Sequence, residues 1–92
     1  MDKTFQRNQE IEAAPLDQES ILYDPRSSKF FMLNATSAFI WEQLARPATV
    51  EGIASAVADN FLEVTADVAL GDVRNAVDEL VSLDLVNAVS GS

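Results

Sequence analysis

The side chains able to exchange protons in this chain are carboxylates, six Lys and Arg residues and one Tyr; His and Cys are both absent. Imidazole-activated nucleophiles, thiolate chemistry and ordinary zinc ligation are thereby removed. Carboxylates do fall in close pairs, Glu10 with Glu12, Asp17 with Glu19 and Asp78 with Glu79. One member of a catalytic pair must hold its proton near neutral pH, which takes burial or a like charge in a closed site. These pairs stand among residues that read as solvent-facing, so they are expected to be hydrated surfaces. The three Gly are isolated from one another, which leaves no glycine-rich phosphate cradle. No cofactor and no metal is expected, and any catalysis would have to rest on carboxylates, Lys or Tyr.

Charge narrows what it binds. Fifteen acidic residues against six basic ones give a formal charge of −9. Such a surface repels a phosphate backbone, whose affinity comes from Lys and Arg, so nucleic acid is not an expected partner. The acidity serves solubility or attracts a basic partner. No run approaches the roughly 20 apolar residues of a spanning helix, and the start MDKTFQRNQE lacks the apolar stretch of a secretory signal. The expectation is a cytoplasmic protein without a membrane partner, and the lack of Cys fits that compartment.

With 92 residues, 48% of them apolar, the chain is expected to form one domain over 1–92 with little core to spare. Its central stretch is 29–44, KFFMLNATSAFIWEQL, where a strand becomes a helix across Asn34, whose side-chain oxygen suits an N-cap. Residues 1–8 carry no periodicity and are expected to be flexible. Over 9–33 three strands are expected. The first alternates Ile11 and Ala13 against Glu10 and Glu12 and ends at Pro15. The second holds Ile21, Leu22 and Tyr23, then Asp24, Pro25, Arg26, Ser27 and Ser28 supply a turn into the third, Lys29 to Leu33. That third strand has no polar face. If Phe31 and Leu33 face the helices, Phe30 and Met32 face away, either covered by the N-terminal segment or Phe5, or left as a partner surface.

Residues 34–84 are expected to form a three-helix bundle. Helix one covers 35–45 and stops before Pro47, with Ser37, Ile40, Trp41 and Leu44 inward and Phe39 on the opposite side. Thr49 caps helix two, whose Val50, Ile53, Ala54, Val57 and Phe61 share one face. After the link 62–65, Thr65 caps helix three, with a possible break at Gly71, an inner stripe of Leu70, Val73, Val77 and Leu80, and an end near Asp84. Residues 85–92 form a tail in which Leu85, Val86 and Val89 return to the body, compatible with a short strand. The fold class is α+β: an N-terminal three-stranded antiparallel sheet followed by three helices, similar to a winged helix-turn-helix. That order raises a winged-helix DNA-binding regulator as the alternative function. Helix three argues against it, since between Asp67 and Asp84 it carries Arg74 against Asp67, Asp72, Asp78, Glu79 and Asp84.

Phe31, Leu33 and Asn34, then Ala38, Ile40, Trp41 and Leu44, Thr49, Val50 and Ile53, Val57 and Phe61, Asp72, Val73, Leu80, Leu85 and Val86 together resemble the PqqD-like family over about residues 20–87. Its members are leader-peptide recognition elements for ribosomally made, modified peptides. Where that family carries Gly after helix three this chain has Asp84, a residue type able to take a left-handed cap at some cost.

The resemblance implies a non-catalytic module that takes up a precursor's leader segment as an added strand and presents it to a modifying enzyme, a peptidase, cyclase or radical enzyme. It implies binding residues Lys29, Phe30, Phe31, Met32 and Leu33 on the strand edge and Leu70, Val73, Arg74, Val77, Asp78 and Val81 on helix three. Four or five added backbone hydrogen bonds, at about 1 kcal/mol each, only offset the roughly 2 to 5 kcal/mol of ordering a peptide. An apolar groove is therefore required as well. On this reading Val77→Asp abolishes binding and leaves the fold intact.

Overall fold

A computed structural model describes residues 3–61 and 63–89. Burial alternates along the strand Glu19–Asp24, with Ser20, Leu22 and Asp24 buried and Ile21 and Tyr23 half-buried. That alternation marks a sheet with helices on one face only. The strand, β3, is the middle of an antiparallel sheet whose order is β2 (Glu12–Leu16), β3, β4 (Lys29–Leu33). A two-residue turn at Asp17 and Gln18 joins β2 to β3, and Asp17 takes the left-handed φ of 58° that such hairpins need.

Three helices follow, so the chain has the expected α+β order. In α1 (Ala35–Gln43) the Asn34 Oδ1 accepts from the Ser37 N–H at 2.8 Å. In α2 (Val50–Asn60) the Thr49 Oγ1 accepts from Gly52 N–H at 2.9 Å, and in α3 (Ala66–Ser82) the Thr65 Oγ1 accepts from Val68 N–H at 3.3 Å. Each cap satisfies an N–H that the first helical turn leaves without a partner. Leu22, Ile40, Trp41, Leu44, Ile53, Val57, Val73, Val77 and Leu85 fill the space between helices and sheet, all nearly free of solvent. Phe39, on the other side of α1, meets Phe61 edge-to-face with ring centroids 5.5 Å apart.

Asp84 ends α3 as a left-handed residue, φ 64°. Its N–H donates to the Val81 carbonyl and the Leu85 N–H donates to the Leu80 carbonyl, both at 3.0 Å. This is a Schellman ending, with buried Leu80 and Leu85 supplying its apolar contact.

Four expectations are corrected. The segment 1–8 is not wholly flexible, because Thr4–Arg7 forms a strand, β1, between β5 (Ala48–Thr49) and β6 (Val86–Val89) in a second antiparallel sheet. Residues 85–92 are likewise not simply a tail, since 86–89 are that sheet's third strand. Pro15 does not end its strand: β2 lies at the sheet edge, where a missing N–H breaks no ladder bond. Gly71 does not break α3, which runs through it. Met1, Asp2, Leu62 in the link 62–65, and 90–92 of the tail lie outside the described residues.

Gly71 is exposed, and a Cβ added there meets nothing within 4 Å. Gly71→Ala is therefore expected to stabilise the protein by about 0.5 to 1 kcal/mol, read from a urea midpoint. The same change at Gly52 places the Cβ 3.1 Å from the Thr49 Oγ1, so it crowds the cap and gains less.

Candidate functional site

The site is built around β4. One edge of this strand is bonded to β3, in the register Ser20 with Leu33, Leu22 with Phe31 and Asp24 with Lys29. Among the described residues no strand pairs with its other edge. A row of backbone donors and acceptors is thus left open to a further strand. Leu33 points into the core and Phe31 is half-buried beside it. Phe30 and Met32 lie on the bare outer face, 69% and 65% exposed. Tyr23 on the neighbouring strand touches Phe30, ring centroids 4.7 Å apart, and Ile21 stands opposite Met32. Phe5 does not cover them; it packs on the core from β1.

Beside Lys29 and Phe31 is a depression of about 510 Å³, whose far wall is Ser82, Leu83 and Asp84 at the end of α3 and whose floor includes Asp24, Arg26 and Ser27. Arg26 ties the floor of this depression to its far wall. Its Nε and Nη2 donate to the two Asp24 carboxylate oxygens at 3.0 and 3.1 Å, and Nη2 also donates to the Asp84 carbonyl at 2.8 Å. The left-handed Asp84 turns that carbonyl toward the loop between β3 and β4. One guanidinium therefore joins the end of β3 to the end of α3.

The Arg26 side chain, through these hydrogen bonds, holds the Asp24 carboxyl below its ordinary value of 3.8, aided by Arg26's backbone N–H and charge and opposed by desolvation. A carboxyl whose pKa is lowered by folding binds protons more readily in the unfolded chain. Its contribution to stability is present above the ordinary value and is lost as pH falls through the folded one. The urea midpoint is therefore expected to fall as pH drops below the ordinary carboxylate range, in part through Asp24. Asp24→Asn removes that part of the change.

Of the helix-three residues expected at the site, Leu70 and Val81 are half-buried and Arg74 and Asp78 are exposed. Val73 and Val77 are corrected: both have no exposed surface and belong to the core. They point inward, behind the wall, because the buried stripe and the surface row Leu70, Arg74, Val81 are only a fraction of a turn apart. Sequence reasoning also missed Arg26, Ser27, Ser82 and Leu83. Residues 24–28 read as turn chemistry, and the signal that they do more is a single Arg placed two residues after an Asp.

A search among curated proteins finds no match to the chain. The family model for coenzyme PQQ synthesis protein D, PqqD, matches residues 19–86, which is β3 through the first residue of β6. The chain belongs to the PqqD family. Among solved structures it is similar to TbiB1 in complex with the TbiA(beta) leader peptide, at 21% identity and TM-score 0.81, covering 92% of this chain and 98% of that one. It is also similar to lasso peptide synthetase B1 complexed with the leader peptide, at 26% identity and TM-score 0.77, covering 90% and 96% of the two chains. The PqqD match leaves out β1 and β2, so the open edge and the Arg26 bridge lie in the part shared with the family, while the sheet that ties the chain's two ends together draws on residues before it. Among the described residues, no group of His, Cys, Asp or Glu is disposed to hold a metal ion, and no helix is long and apolar enough to cross a membrane.

Proposed function

We propose that this PqqD-family chain is a non-catalytic module of one cytoplasmic domain that captures the leader segment of a ribosomally made precursor and presents it to a peptide-modifying enzyme. The observation that carries this reading is the unpaired edge of β4 beside the depression closed by the end of α3. A leader lying along Lys29 to Leu33 gains main-chain hydrogen bonds from the edge and a choice of sequence from the side chains around it. The edge alone is close to neutral in free energy, and Phe31 and Leu83, which line the depression, supply apolar contact that the binding requires. Strand pairing also sends alternate leader side chains to the outer face, next to Phe30 and Met32. Two solved structures of the same fold hold leader peptides, which supports the reading.

The test is an NMR titration of the labelled protein with leader segments of short precursor peptides encoded beside it. Amides of 29–33 and of the α3 face carrying Leu70, Arg74, Asp78 and Val81 are expected to shift together. Shifts confined to the β1–β6 sheet, or none with any of these peptides, would overturn it.

A further inference from the structure

A second concavity lies on the other flank of the molecule. It is a groove of about 480 Å³ between the β2–β3 hairpin, α1 and the end of α2. Its apolar part includes Ala38 and the Phe39 and Phe61 rings, both half-buried and set edge-to-face. Its charged part is Asp17, Glu19 and Glu42, all exposed. Neither Lys nor Arg lines it. From outside the lining, Arg7 stands 3.8 Å from the Glu42 carboxylate across an exposed pair of little strength.

We propose that this groove is the docking site for a basic segment of a partner protein, with an Arg or Lys stem laid on the Phe39 and Phe61 rings and its head among the three carboxylates. The volume suits one or two side chains, and a cation above an aromatic face with carboxylates at its rim is attracted by both. An anionic occupant meets like charge at the rim, and a purely aliphatic one leaves the carboxylates without a counter-charge. Position matters too. In the sheet order β2, β3, β4 the hairpin carries the edge opposite β4, so the groove and the outer side of β4 can be filled at once. Resting on the leader-binding reading above, the occupant is a segment of the modifying enzyme, held on one flank while the leader lies on the other.

The experiment titrates the labelled full chain with an N-acetylated, C-amidated peptide Lys-Phe-Arg-Phe-Lys, and separately with its Glu-Phe-Glu-Phe-Glu counterpart. Amides of Asp17, Gln18, Glu19, Phe39 and Glu42 are expected to shift with the first, less so in high salt, and to stay still with the second. The combined variant Asp17→Asn, Glu19→Gln, Glu42→Gln keeps a residue that tolerates positive φ at 17 and is expected to bind the basic peptide about tenfold more weakly. Its circular dichroism should match that of the parent. Equal binding by the variant, equal shifts with the acidic peptide, or shifts that follow the acids of α3 instead would overturn the assignment. The leader titration is read separately at β4. A leader response without a groove response removes this docking site and leaves the leader reading standing; a groove response without any leader response removes the leader reading and, with it, the modifying enzyme as occupant.

Discussion

Val77→Asp is expected to leave no folded protein at neutral pH. Val77 has no exposed surface and sits on the stripe of α3 that faces the core, with Val73 and Leu80 on the same stripe. A carboxylate placed there has no cation or donor to meet it, and burying such a charge costs several kcal/mol even after the surroundings relax. Domains of this size have about 5 to 15 kcal/mol in all. Trp41, 1% exposed in the same core, supplies the readout: its emission should shift to that of a hydrated indole, together with loss of helical circular dichroism. A cooperative, parent-like urea transition for this variant would place Val77 outside the core. This outcome differs from the expectation of an intact fold, which followed from treating the whole helix stripe as groove wall.

Val81→Asp, four residues on, is expected to do what was first assigned to Val77. Val81 is half-buried, and the next residues, Ser82 and Leu83, line the depression with Phe31. The variant loses part of one apolar contact, and a charge at this position remains hydrated, so stability should fall by no more than about 2 kcal/mol. A leader side chain resting on Val81 loses its apolar partner and meets a carboxylate. The affinity is expected to drop by about thirtyfold, or about 2 kcal/mol, in calorimetric titration. Parent-like leader binding by a folded Val81→Asp would mean that the α3 side of the depression takes no part.

The contrast between positions 77 and 81 shows where the sequence stops speaking. Helical spacing gives the direction of a side chain but not its depth, and the residues of one stripe range from sealed to half-open according to what packs above them. Features written into neighbouring residues were legible. Asn34, Thr49 and Thr65 cap their helices as their types dictate, and Asp84 stands in the left-handed cap that its position after helix three demanded. So was the apolar outer face of the third strand, because an uninterrupted KFFML leaves no polar face. β1 was not. Its four residues, TFQR, carry little pattern, and their partners Ala48–Thr49 and Val86–Val89 lie some forty and eighty residues away in the chain. The Arg26 bridge was hidden for the same reason, since its acceptor at Asp84 is 58 residues distant.

The pairing of Thr4 with Val89 has a practical meaning for how the molecule is attached to anything else. Antiparallel neighbours sit about 5 Å apart, so the chain enters and leaves the described structure at almost the same spot. A tether placed before Thr4 or after Val89 would tug on one shared ladder, and β4 belongs to the other sheet. Fusions to either terminus, or a short bridge that joins them and opens the chain at Asp17 and Gln18, should therefore leave β4 unloaded.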